Sequence, residues 1–286
     1  MNQLSTSERT QIVRCLVEGN SIRATSRLTG HCKEAILRLL GQMGDVCREF
    51  QDAALRNLQS KRIQCDEIWS FIGCKEQHLS PDEKRKGRGD VWTWTALDPD
   101  SKLMVAWHVG LREYADGLMF MEDLASRLAN RIQLTTDGHR SYRTAVHEAF
   151  GHEVDYGTEV KVYGMPLDDG RIEARYSPSR CKEVKRDVVC GFPDPDRITT
   201  AHNERHNLTM RIQVRRFTRL TNAFSKKFQN HVAAVNLHMM HYNFCRIHQT
   251  LRCTPAMQAG VADHVWDIRE IIGLLDSQQP EKRRSA

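Results

Sequence analysis

Apolar residues recur at helical spacing from the start of the chain. Ile12, Val13, Leu16 and Val17 form a stripe that ends before Gly19, and Ser5 followed by Glu8 makes a capping box, so a helix is expected over residues 5–18. A shorter helix from Ser21 to Leu28 precedes a turn at Thr29-Gly30, and a third, from about Cys32 to Met43, carries Ile36, Leu37, Leu39 and Leu40. A polar helical connector is expected over 44–60. The period then changes. Gln64 to Ile72 reads as a strand, and Val91–Leu97 with Leu103–Val109 reads as a hairpin about Asp98-Pro99-Asp100. Pro81 to Gly89 is a charged loop between them. Helical spacing returns over 116–129, through Leu118, Met121, Leu124, Ala125 and Leu128. A strand at Ile132–Thr136, a helix at Tyr142–Phe150 and a weak strand at Val160–Tyr163 follow. Residues 164–200, rich in Pro, Gly and charge, read as an irregular insertion. A long basic helix opened by residues 203–209 and an amphipathic one from Val232 to Ile247 complete the pattern.

The element order carries two expectations. Helix, short helix, glycine-containing turn and helix is a helix-turn-helix pattern. It would present Lys33 and Arg38 to a major groove, with Arg23 and Arg27 near the phosphates. Three strands, helix, strand, helix, strand is the order of a ribonuclease-H-like layer. The expected fold class is therefore α/β, with a mixed five-stranded sheet and flanking helices, preceded by an all-α unit and followed by C-terminal helices. The corresponding divisions are 1–60, 61–230 with the insertion at 164–200, and 231–286.

Composition narrows the partners. The 286 residues are 40% hydrophobic and 27% charged, with no run approaching the roughly 20 apolar residues of a membrane span. The N-terminus has no apolar signal region, so a cytoplasmic protein is expected. Nine scattered cysteines without a Cys-x-x-Cys pair read as reduced thiols. The net charge of +6 is unevenly spread. Residues 1–62 carry ten Lys/Arg against six acids, and residues 197–252 carry ten against the single acid Glu204. Two basic segments flanking an acidic middle form an electrostatic footprint for DNA, whose binding would be strongly salt-dependent.

Three separated segments then place carboxylates where metal-dependent chemistry could use them. Asp66 and Asp137 each fall at or near an expected strand end, and Glu204 opens the basic helix. Oxygen ligands from separate elements suit Mg²⁺ or Mn²⁺, and a pair of such ions can run an in-line displacement at phosphorus. On a continuous helix, Leu208, Arg211, Arg215, Arg219 and Lys226 would share the flank of Glu204, while Phe217, Leu220 and Phe224 would pack inward. Such a stripe would hold phosphates through planar guanidinium forks. Chance triplets are easily drawn from 36 acids, and a strand-end Asp often serves only a turn. Glu67 should point to the other strand face, making it a weaker candidate. Asp98, Asp100, Asp168, Asp169, Asp194 and Asp196 adjoin turns and read as turn formers. His238, His241, Cys245 and His248 have metal-like composition but read as packing or DNA contacts, so no zinc is expected.

These segments, together with Tyr242-Asn243-Phe244-Cys245-Arg246-Ile247-His248-Gln249-Thr250-Leu251 and Thr254-Pro255, closely resemble the DDE transposases of short bacterial insertion sequences, in particular the insertion-sequence-one-like group. The most specific match runs from Glu204 through Arg211 and from Arg216 through Lys226-Lys227. The resemblance spans about Lys61 to Trp266 plus the N-terminal helices. It implies a ribonuclease-H-like core with Asp66, Asp137 and Glu204 as a triad for two Mg²⁺ or Mn²⁺ ions. It also implies nicking at the element's terminal inverted repeats, attack of the freed 3′-hydroxyl on target DNA, and a homo-oligomer on double-stranded DNA in the bacterial nucleoid. Arg211, Arg215, Arg216, Arg219, Lys226, Lys227, Arg246 and His248 are the expected DNA contacts of the C-terminal half. The chain departs from the family at His202-Asn203, where an aromatic–aliphatic pair is expected, and in lacking the cysteine-rich zinc ribbon of some relatives. The alternatives are an inactive, transposase-derived DNA-binding protein and a nuclease that cuts without joining.

Overall fold

A computed structural model describes residues 4–82, 86–163, 181–218 and 221–278. Helix α1 (Thr6–Val17) starts at the expected capping box: Ser5 Oγ accepts from the Glu8 amide at 3.3 Å, and the Ser5 amide donates to the Glu8 carboxylate at 2.7 Å. Helix α2 (Ile22–Thr29) ends on Gly30, whose φ of 75° is left-handed and natural only to glycine. Helix α3 (Lys33–Ala54) does not stop near Met43; the third helix and the connector are one element of 22 residues. Nothing in Gly44-Asp45-Val46 breaks the helix, because neighbours bury Met43, Gly44, Val46 and Cys47 along the same stripe.

The sheet has six strands, one more than expected, in the order β3-β2-β1-β4-β5-β6. Strands β1 (Arg62–Ile72), β2 (Gly89–Leu97) and β3 (Met104–Gly110) form an antiparallel meander. Helix α4 (Tyr114–Arg127) then leads to β4 (Ile132–Thr136), parallel to β1, and α5 (Arg140–Phe150) leads to β5 (Val154–Tyr163), parallel to β4. The added strand β6 (Cys181–Cys190) lies antiparallel to β5, inside the segment expected to be irregular. Its side chains are mostly exposed, so it lacks the apolar alternation that marks a half-buried strand. Residues 164–180 of that segment lie outside the described residues.

Adjacent residues of β2 show which helices cover which face. Trp94 packs against Phe120 of α4 and Tyr142 of α5, while Thr95 donates to Asn203 of helix α6 (Ala201–Gln213) on the opposite side. Helix α7 (Phe228–Met240) passes into a π-helical turn, His241–Cys245, followed by α8 (Pro255–Gln258) and α9 (Ile268–Ser277). The α7 region, expected to be amphipathic, is almost wholly buried, including Ala233 through Met240. It sits between α3 and the edge of the sheet. There Asn243 accepts from the Met104 amide at 2.9 Å and donates to the Met104 carbonyl at 3.0 Å, satisfying backbone groups of edge strand β3. Trp107 donates to Asn236 at 2.9 Å beside it.

Candidate metal centre

The short fourth strand creates a notch in the sheet. Strand β4 pairs with β1 only along Arg62–Gln64, so β1 continues past it with that side open as far as a bridge from Ile72 to Ser225. Asp66 lies two residues beyond the last pair, and Asp137 follows directly after β4. Single oxygens of Asp66, Glu67 and Asp137 all come within 4.8 Å of one another. Asp66 and Glu67 point to opposite sheet faces, as alternation requires, because Asp66 opposes Thr95 and Glu67 opposes Trp94. The open notch beyond β4 lets both reach Asp137. Glu67 therefore joins the cluster despite the face expected to exclude it.

Each carboxylate is oriented by a named partner. Asp66 Oδ1 accepts from the Glu67 amide at 2.9 Å, and Oδ2 accepts from Asn207 Nδ2 at 2.8 Å. Asp137 Oδ1 accepts from the His139 amide at 2.9 Å, across Gly138 and just before α5. Burial, reinforced by the charges of Asp137 and Glu204, pushes the Asp66 carboxyl up to about 6, against the opposing hydrogen bonds. Glu67 is pushed to about 7 by burial first and then by Asp137, with Arg112 acting in the other direction. Arg112 Nε donates to Glu67 Oε1 at 3.0 Å, and its Nη2 lies 3.4 Å from Asp137 Oδ2. The other Glu67 oxygen, Oε2, is buried without a hydrogen-bond partner. An all-oxygen cluster in which Asp66 and Glu67 are raised and one buried oxygen is unsatisfied is a donor set that fits a hard divalent cation.

Glu204 stands in the first turn of α6, further out than the other three. Its Oε1 accepts from Thr200 Oγ1 at 2.9 Å and forms an ion pair with Lys161 of β5. Its charge is felt at Asp66, though it is not in the 4.8 Å group. The departure at His202-Asn203 now has a physical account. Asn203 is fully buried, donates to the Gln64 and Thr95 carbonyls at 2.9 Å each, and accepts from Thr95 Oγ1 at 3.0 Å. Gln64 Oε1 in return accepts the His202 and Asn203 amides, satisfying donors of the helix start. One turn on, Asn207 reaches Asp66, so the polar pair Asn203/Asn207 locks α6 over the notch. Sequence reasoning missed Asn207, Arg112 and Lys161. The four-residue spacing of the two asparagines was the available signal for the first, whereas nothing local marks the other two.

The basic stripe is not one helical flank. Helix α6 ends at Gln213, Arg215–Phe217 form a 3₁₀ turn, and Arg219 with Leu220 lies outside the described residues. Arg211 keeps its place seven residues after Glu204, but Arg215 and Lys226 are not carried on that face. No proline or glycine ends the helix. Its end is fixed by packing: Val214 and Phe217 are buried, Thr218 Oγ1 donates to the Arg211 carbonyl at 3.1 Å, and Gly19 closely approaches the Ile212 and Gln213 carbonyls. Phe217 and Phe224 do pack inward, the latter stacked on Phe71 with centroids 5.0 Å apart. Lys226, Lys227 and Arg246 are exposed, as are Arg23, Arg27, Lys33 and Arg38 on the N-terminal helices. Arg216 is instead half-buried, and burial lowers its guanidinium to about 10. His248 is half-buried, with its imidazole held low by burial and by Lys102 and Arg246. Among the described residues, no helix is long and apolar enough to cross a membrane.

Fold and site together define a mixed α/β protein with a carboxylate cluster in a strand-end notch. No family model matches the chain, and no curated protein matches it. Among solved structures, a piggyBac transposase synaptic complex with hairpin DNA is similar over 98% of this chain and 72% of that chain, at 11% identity and a TM-score of 0.45. Likeness at that level does not define a shared fold.

Proposed function

We propose that this protein is a divalent-metal-dependent DNA transposase of the insertion-sequence-one-like group. In this reading the sheet and α4–α6 are a ribonuclease-H-like core, and α1–α3 supply a helix-turn-helix unit for end recognition. The observation that carries it is the meeting of Asp66 and Asp137. A carboxylate from within β1 and one from just past the end of the adjacent parallel strand β4 converge in a notch, with the acid of a third element, Glu204, close enough to act on Asp66. The strand order, a three-stranded meander extended by two parallel strands, supports the core assignment.

Two Mg²⁺ or Mn²⁺ ions held by these carboxylates would activate an attacking oxygen and stabilise the leaving one at phosphorus. The chain's own residues do the positioning. Asn207 fixes the Asp66 carboxylate, and the turn at Gly138-His139 fixes Asp137. Arg211, Lys226, Lys227 and Arg246 hold the backbone of double-stranded DNA as non-specific phosphate contacts. Arg23, Arg27, Lys33 and Arg38 face the terminal inverted repeats, and a homo-oligomer pairs the two ends.

The test uses labelled DNA carrying the element's ends, incubated with Mg²⁺ or Mn²⁺ and either wild type or Asp137→Ala. Wild type is expected to nick and join, and the variant to lose cleavage by at least about 10³-fold, on the scale of a lost transition-state contact. Binding without cation-dependent cleavage by wild type would overturn the proposal in favour of an inactive DNA-binding protein. Cleavage without a joined product would make it a nuclease. Glu67→Gln and Glu204→Gln, measured side by side, identify which glutamate completes the site with the two aspartates.

A further inference from the structure

The carboxylate cluster contains its own cation. Arg112 lies just past the end of β3, in the loop leading to α4. Its Nε donates to Glu67 at 3.0 Å, its Nη2 lies 3.4 Å from Asp137, and its guanidinium packs 4.7 Å from the centre of the Trp92 ring. Glu67 is only 1% exposed at its side chain, whereas Arg112 is 34% exposed. The buried acid is thus balanced by a cation that remains open to solvent. A guanidinium suits this place because its planar fork can hold two carboxylates while its face rests on an aromatic ring.

We infer that Arg112 is a resident counter-ion that competes with the divalent cation for Glu67 and Asp137, and so sets how tightly the centre takes metal. The inference rests on the metal reading proposed above. Three carboxylates this close repel one another, and either a guanidinium or a divalent ion relieves that repulsion. With Glu67 as the glutamate that completes the site, both need oxygens of the same two residues. A metal ion that takes Asp137 must therefore loosen or replace the longer arm of Arg112. The shorter arm to Glu67 and the contact with Trp92 hold the guanidinium beside the centre. Arg112 acts through the carboxylates and is a positioning residue, not a catalytic one.

Mn²⁺ titration of the full chain without DNA, followed by the electron paramagnetic resonance signal of free Mn²⁺, tests this directly. Arg112→Gln removes the charge and is expected to tighten Mn²⁺ binding on the order of tenfold, the scale on which a unit charge at this range shifts a carboxylate equilibrium. Arg112→Lys keeps the charge and should stay within about threefold of wild type, well short of that shift. Equal or weaker binding by Arg112→Gln, or equal tightening by both variants, overturns the inference. If Arg112→Gln does not fold, Trp92→Leu provides the second reading. Removing the ring that seats the guanidinium should tighten Mn²⁺ binding to a smaller extent, and unchanged affinity there counts against the inference. Asp137→Asn separates this inference from the reading beneath it. Wild-type binding that Asp137→Asn abolishes, with no change in Arg112→Gln, sinks the counter-ion alone. No Mn²⁺ binding by wild type sinks both.

Discussion

At the scale of single residues, the aspartates were legible and their partners were not. Asp66 lies within a recognisable strand pattern and Asp137 directly after one. Arg112, Asn207 and Lys161 come from a loop, a helix and a strand whose approach depends on the finished sheet. Glu67 shows the limit of alternation, which assigned its face correctly but could not register that β4 stops short of it. The buried histidines give a residue-scale prediction. His231 is fully buried between Phe217 and Ser225, and burial, with Arg216 nearby, depresses its imidazole to about 3. A depressed folded value means that the unfolded chain binds more protons between about pH 3 and 6.5. Stability is therefore lost as pH falls through that window, by about 2 kcal/mol at pH 5 for this one group. His231→Leu should remove that share. Urea unfolding at pH 7.5 and pH 5.0 should show a loss on acidification smaller by about this amount than in wild type. The raised carboxyls Asp66 and Glu67 act in the opposite direction, but they do so in both chains and cancel in the comparison. Identical losses in the two proteins would refute the assignment.

At the scale of elements, periodicity located the helices and strands but not where tertiary contacts extend or stop them. Helix α3 runs through Gly44 because that glycine is a contact point, not a breaker. A Cβ at Gly44 would overlap the Cα and Cβ of Ala233 on α7. Conversely, α6 ends at Gln213 without a breaker, so a helical wheel carried on to Lys226 joined residues that the fold separates. Strand β6 was missed because an exposed strand has no apolar period to detect. The Gly44 contact makes a sharp prediction. Alanine there gains about 1 kcal/mol of intrinsic helix preference, but overpacking two helix backbones typically costs 1–3 kcal/mol and occasionally more. The overlap is with backbone, which cannot rotate away as a side-chain tip can, so the cost should win. Gly44→Ala is expected to lower stability by about 2 kcal/mol, read from the urea midpoint at unchanged slope. A stabilised variant would mean that α3 and α7 stand further apart than described.

At the scale of the whole molecule, the division expected at residue 60 meets a continuous core. Buried apolar residues form one cluster from Ile12 through Cys65, Trp94 and Leu134 to Leu275. Helix α3 belongs to both ends of it, packing with α1 and α2 and also with α7 and α9. Gln51, fully buried, donates to the Asn236 carbonyl at 3.3 Å and accepts from Asn243 at 3.4 Å, tying α3 to the layer that guards β3. Arg9 of α1 pairs with Asp276 of α9 at 2.7 Å, joining those two helices. An N-terminal unit on a flexible tether would unfold independently, whereas α1–α3, whose longest helix is shared with the core, cannot. We therefore expect a single cooperative transition. Far-ultraviolet circular dichroism, dominated by the helices, and tryptophan fluorescence, dominated by Trp69, Trp92, Trp94 and Trp107 of the sheet, should give coincident urea midpoints. A chain beginning at Lys61 should expose the buried face of α7 and aggregate instead of folding as a separate domain. Two resolved transitions, or a soluble and cooperatively folded truncated chain, would show that α1–α3 and the sheet are independent units. A single transition would mean that α1–α3 and the sheet that carries Asp66 and Asp137 fold as one unit.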